Sequence, residues 1–210
     1  MTTKRPIEIT YDELVTRNFN LKPEEFTNEV IKYCKVYNIF DNAAITHLSL
    51  QKIIYYCYGM CIWSTEFMPF LPIDTNNNIN LSFWKLGPVF EPIYQELKVF
   101  GSKQLNPDDI LLKDISYDAD GISLEDYKII DNETKHYLSA PIGNTLLYLR
   151  GKTSSELVSM THTKDSAWSK IYNNNQTIEE NAKRYKTIDN QNILENIMLE
   201  IAHYNYFNAL

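Results

Sequence analysis

The chain has little of what most catalytic, metal-binding and membrane signatures require. Its six glycines stand singly, so no Gly-rich loop is present to cradle a phosphate with backbone N–H groups. The four histidines, His47, His136, His162 and His203, fall in no HExxH-type spacing. That excludes the common helix-borne zinc hydrolase pattern. Three cysteines, an odd number, make no disulfide framework and fit reduced thiols. No apolar run approaches the roughly 20 residues that span a bilayer. Met1 to Thr10 lacks the apolar centre of a secretory leader, so the reading is a soluble cytoplasmic protein. Basic residues are outnumbered, 20 Lys and Arg against 27 Asp and Glu, for a formal charge of −7. A sequence-independent phosphate-binding surface needs clustered Lys and Arg. No nucleic-acid partner and no membrane are therefore expected, whereas a protein partner with a basic face would suit the charge.

What is present is a globular core. Hydrophobic residues make up 44% of 210 positions, enough for one domain of ordinary size. The stretch from Thr46 to Phe100 organises it. Leu50, Ile53, Ile54, Cys57 and Cys61 recur at helical spacing behind Thr46, whose hydroxyl suits an N-cap. Tyr55, Tyr56, Met60 and Trp63 cover much of the other side, and a helix apolar nearly all round is a buried one. Cys57 and Cys61, one turn apart, fit small core residues better than a metal pair, because no third ligand stands at finger spacing. Phe67–Leu71 and Ile79–Trp84 read as a small β-hairpin. Trp84 is expected to wedge between that hairpin and the central helix. Gly87-Pro88 then reads as a turn into a new helix carrying Val89, Phe90, Ile93, Tyr94 and Leu97, with Pro88 in its first turn.

Elsewhere the pattern is also helical. Ile7, Ile9 and Tyr11 suggest a short extended arm, and Leu14 to Phe19 a helical turn or two. Pro23-Glu24-Glu25 opens a helix with the stripe Phe26, Val30, Tyr33, Cys34 and Tyr37. Asn106 could cap a short helix. Asp118-Ala119-Asp120-Gly121 reads as a turn between short strands near Ile115 and Tyr127–Ile130, since its frame fails as a calcium loop. A helix over 132–150 should be kinked or split by Pro141. Thr153-Ser154-Ser155-Glu156 is a capping box, Ser166 can cap the next turn, and Asp189 starts a last helix. The expected fold is mainly α: a compact helical bundle around a central buried helix, with a small β-hairpin. Residues 1–22 read as an N-terminal arm and 23–210 as a single domain.

A catalytic site needs a nucleophile, a base and an orienting group together. Among the histidines, His162 stands out, because Thr161-His162 ends a short helix where an imidazolium is stabilised by the helix's negative end. A ring that ties the Thr161–Trp168 loop to the core is the plainer reading, and a hydrolase using His162 with Asp165 or Thr161 is the sharper one. Gln51 is either a buried hydrogen-bonder or functional surface. Lys52 is expected to pack its stem and expose its head. The aromatic set Tyr55, Tyr56, Trp63, Trp84 and Tyr94 reads as core rather than binding face, with any exposed rim a partner anchor.

Three ordered motifs carry a resemblance. Leu48-x-Leu50-Gln51-Lys52-x-x-Tyr55-Tyr56, then Trp84-x-x-Gly87-Pro88-Val89, then Leu157 with Thr161-His162 and Trp168 are similar to the pattern of the Panacea domain. That is the family of SocA-like antitoxins and phage-associated GepA-like proteins. The resemblance covers about Phe26 to about Ile193. It departs at Ser49, where a basic residue is usual, at Leu86, where an aromatic is common, and in an insertion-like stretch between Ser102 and Thr134. It implies an antitoxin that neutralises a cognate protein toxin by direct binding, with a protease or chaperone as a possible further partner when such a protein acts as an adaptor. It implies no cofactor and no catalytic residues. An enzyme or a phage-encoded regulator is the alternative.

Overall fold

In the computed structural model, residues 10–42, 44–107, 110, 132–174 and 190–208 are described. The first nine residues, the strands expected near Ile115 and Tyr127–Ile130, and their turn at Asp118–Gly121 lie outside them. Among the described residues the fold is mainly helical, with one small two-stranded antiparallel sheet. Helix α1 is Tyr11–Thr16, α2 Pro23–Val36, α3 Ile39–Asn42 and α4 His47–Thr65. Strands β1 Leu81–Trp84 and β2 Gly87–Phe90 follow, then α5 Glu91–Leu97, α6 Asn132–Leu149, α7 Ser154–Thr161, α8 Ala167–Asn174 and α9 Asn190–Asn208.

Helix α4 is the axis. Its start is fixed by a reciprocal cap: Ser49 N–H donates to Thr46 Oγ1 (3.3 Å) and Thr46 N–H to Ser49 Oγ (2.7 Å). From Ser49 to Ile62 every residue except Met60 is buried. Helices α2, α5, α6, α7 and α9 and strand β2 all pack on it, which covers it through Ile62 and leaves its C-terminal end, from Trp63, at the surface. Gly59 allows a close approach of α9, because a Cβ there would lie 2.9 Å from Ile201 Cγ1. Cys57 and Cys61 are fully buried in this core, and burial pushes both thiols up. The phenol of Tyr58 donates to Phe70 O (2.8 Å), and its ring meets Phe26 and Phe90 edge-on, joining α2, α4 and β2.

The other caps form as their residues dictate. Pro23 opens α2. Thr153 and Glu156 cap α7 reciprocally, and Ser169 N–H donates to Ser166 Oγ (3.0 Å) at the start of α8. Pro141 does not divide α6, which runs unbroken through it. The carbonyl of Pro141 is taken by Thr145 Oγ1 (2.7 Å) one turn on.

The hairpin corrects the sequence reading. Its strands are β1 and β2, with Leu81 opposite Phe90 and Trp84 opposite Gly87. The segment 67–71 does not form its ladder: Pro69 has no N–H to give, and Asn80 and Leu81 donate to the carbonyl of Pro72 just beyond it (2.8 and 3.0 Å). That segment instead offers carbonyls: Phe19 N–H donates to Met68 O and Leu21 N–H to Pro69 O, both at 2.9 Å. Gly87-Pro88 does not begin a helix either. Gly87 takes φ +100°, which turns the chain back after Lys85-Leu86, and α5 starts only at Glu91 with Pro92 in its first turn. Pro88 is tolerated in β2 because each strand of a two-stranded sheet has a free edge.

Candidate functional site

The three sequence motifs meet under the turn of this hairpin. Gln51 and Lys52, adjacent on α4, both reach the backbone of β2. Gln51 accepts from Phe90 N–H (2.8 Å) and donates to Phe90 O (3.3 Å). Lys52 donates to Pro88 O at 2.7 Å. Its head is not exposed as expected: the side chain is fully buried, and burial lowers the amine to about 7. The reason is that β2 lies directly over this turn of α4 and leaves the stem no route to water. His47, one turn earlier, has its imidazole lowered by burial first and by the Lys52 charge second.

The turn itself is closed from the other side by α7 and α8. A Cβ on Gly87 would stand 2.7 Å from Thr161 Oγ1 and 2.9 Å from Lys52 Cε, so only glycine fits between them. Thr161 is fully buried and donates to Val158 O (2.8 Å). His162 caps α7. Its Nδ1 lies 2.7 Å from Val158 O and its Nε2 3.1 Å from Lys85 O in the hairpin turn. The imidazole rests on Trp168, with ring centres 3.7 Å apart, and Trp168 stacks in turn on Tyr172 (4.8 Å). Trp168 Nε1 donates to Trp84 O at 2.6 Å. Gln51, Lys52, Trp84, Gly87, Pro88, Thr161, His162 and Trp168 therefore form one assembly, built largely of side chain to backbone bonds. The expected tie of the Thr161–Trp168 loop to the core runs through both ring nitrogens, Nδ1 to Val158 O of α7 and Nε2 to Lys85 O of the hairpin turn.

Trp84 is not the wedge between hairpin and central helix. Its ring is half-buried and meets Tyr94 of α5 edge-on (4.7 Å). The preceding residue, Phe83, points the opposite way along the pleat and is the one that packs against Tyr55 (6.4 Å, 86°).

Tyr55 and Tyr56 belong to a second, neighbouring network that sequence reasoning missed at its centre. Glu200 of α9 is buried, and its carboxyl accepts from Tyr55 OH (2.7 Å), Tyr56 OH (3.4 Å) and Ala167 N–H (2.9 Å) at the start of α8. Burial pushes this carboxyl up to about 7 despite the three donors, which act in the opposite direction. The signal was readable. Ile193, Ile197 and Ile201 mark the inward stripe of α9, and Glu200 falls on the same face, seven residues after Ile193.

Trp63 and Tyr94, also in the aromatic set, are half-buried, whereas Tyr55 and Tyr56 are core. Among the described residues no cluster of His, Cys, Asp or Glu is arranged to hold a metal ion, and no helix is long and apolar enough to cross a membrane. No family model, curated protein or solved structure matches this chain.

Proposed function

We propose that this protein is an antitoxin that neutralises a cognate protein toxin by direct contact in the cytoplasm, without catalysing a reaction. The motif resemblance supplies the function class. The observation that carries contact over chemistry is the assembly under the hairpin turn. Lys52, Thr161 and His162, the residues best suited to chemistry there, each spend polar atoms on backbone carbonyls. A group held that way positions a loop, whereas a nucleophile or base must face a substrate. The hydrolase reading with His162 as base would need a free ring nitrogen aimed at a cavity. Delivery of the bound toxin to a protease would be an elaboration of the same contact.

The test is a rescue experiment. The gene adjacent to this one is induced alone and together with it, and growth is followed. Restored growth, with co-purification of the two proteins, is expected. A toxic neighbour whose product is chemically altered by catalytic amounts of this protein, with no stable complex, would sink the contact mechanism.

A further inference from the structure

Helix α9 is apolar on two faces. Ile193, Ile197 and Ile201 turn inward, and on the adjoining side Met198, Leu199 and Ala202, with the buried Leu194 at their base, line a groove closed by α1 and by Trp63 near the end of α4. The groove encloses about 440 Å³, and Leu199 on its wall is 57% exposed. A large exposed apolar side chain beside an aromatic and a methionine is the composition of a contact surface, not of ordinary solvated helix. Among the described residues that line it, the one charged side chain is acidic. Glu195 lines it, and Asp12 and Glu13 are exposed on α1. From 190 to 208 the sequence of α9 has no Lys or Arg, and Arg17 beyond α1 is already paired with Glu66.

We propose that this groove docks an amphipathic helical segment of a protein partner, its apolar face laid against Trp63, Met198 and Leu199 and its flanks carrying Lys or Arg toward Glu195 and Asp12. An amphipathic helix placed in a groove offers apolar anchors at one-turn spacing, and positive flanks complement the acidic rim. The partner's identity as a toxin rests on the antitoxin reading. The groove's preference for basic amphipathic helices does not.

A labelled peptide of about 18 residues, with Leu at helical spacing and Lys elsewhere, is titrated into the full chain. Binding is expected for the wild type and weakening of about tenfold or more for Leu199→Ser, the cost of one interface anchor. The thermal midpoint of Leu199→Ser should be unchanged, because the side chain is exposed. Asp12→Asn with Glu195→Gln should weaken binding and flatten its salt dependence. A twin peptide with Glu for Lys should fail to bind. Equal binding by wild type and Leu199→Ser would overturn the proposal, as would equal binding of a peptide with Ser for Leu, which would mean charge alone. Self-association of the wild type that Leu199→Ser abolishes would also overturn it, by making a second copy the occupant. Growth rescue by Leu199→Ser that matches wild type would remove the groove as the toxin's surface and leave the antitoxin reading intact. Peptide binding lost in Leu199→Ser, with no rescue by wild type, would support the groove and sink the antitoxin reading.

Discussion

Two adjacent turns of α4 each hold a neighbour through a buried ionisable group, and they do so in opposite ways. At the first, Lys52 reaches Pro88 O of the hairpin. At the second, Tyr55 and Tyr56 meet Glu200 of α9, which also takes Ala167 N–H of α8. The hairpin side is closed by shape, with Gly87 pressed between Lys52 and Thr161. The α9 side is closed by a carboxyl with three donors. Yet both groups are brought to about 7, Lys52 from above and Glu200 from below. The number of hydrogen bonds does not decide this. Removal from water does, because desolvation disfavours whichever form is charged.

The comparison predicts opposite pH profiles, the larger for Lys52. Between about 7 and 10.5 the unfolded chain keeps the Lys52 proton that the folded chain has released. The unfolded state then binds more protons, so stability rises with pH across that window. Relative to Lys52→Met, the wild type should gain up to about 5 kcal/mol from pH 7 to 10.5, at about 1.4 kcal/mol per unit of pKa shift. Chemical denaturation of both proteins across the range measures it. A constant difference would mean that water reaches the amine.

Glu200 should give a smaller slope of the other sign. Between 4.5 and about 7 the folded chain holds a proton that the unfolded chain has lost, so stability falls as pH rises. Relative to Glu200→Gln, the wild type should lose up to about 3 kcal/mol across that window. If instead the wild type loses stability as pH falls below 4.5, the three donors outweigh burial and the contrast between the two turns disappears.

The shape-closed side is tested at Gly87. Gly87→Ala places a Cβ into Thr161 and Lys52 at φ +100°, and should cost about 2–3 kcal/mol through strain and overpacking. The cost should be the same at pH 6 and pH 9. A cost that changed with pH would show that Lys52 moves aside on losing its proton, which would blur the line between shape and charge.

Legibility in the sequence followed the same division between local and distant causes. The starts of α2, α4 and α7 were readable at Pro23, Thr46 and Thr153, because caps act within one turn. The burial of α4 was readable because its own residues are apolar all round. The hairpin partner was not, because β1 is four residues long and its alternation fits any neighbour. The decision fell to Gly87, whose positive φ makes a turn where Gly-Pro alone reads equally well as a helix start. Phe83 takes the core position expected of Trp84 for the same reason, since one step along a strand swaps its faces. Lys52 was misread because a stem's route to water depends on what lies overhead, here a strand about 36 residues downstream. Glu200 was visible as a carboxylate on an apolar stripe, but its partners on α4 and α8 were not.

The smallest expected effect tests what His162 contributes where the two closures meet. It joins Val158 O of α7 to Lys85 O of the hairpin turn and supports the Trp168 ring. It is only partly buried, so His162→Ala loses two polar contacts that water can in part replace. A cost of about 1–2 kcal/mol follows, near the net worth of one or two ordinary hydrogen bonds. His162→Gln, which keeps a polar head able to reach one carbonyl, should recover part of it. In a contact antitoxin, rescue of growth by these variants should track their stability, Gln above Ala, and both should rescue fully once expression is raised. A catalytic His162 predicts the opposite split: near-normal stability with rescue lost by several powers of ten in either variant, at any expression level. Rescue and thermal midpoint measured on the same three proteins separate the two. If rescue fails while stability and toxin binding hold, His162 acts on the toxin, and the hairpin assembly is an active site rather than a brace.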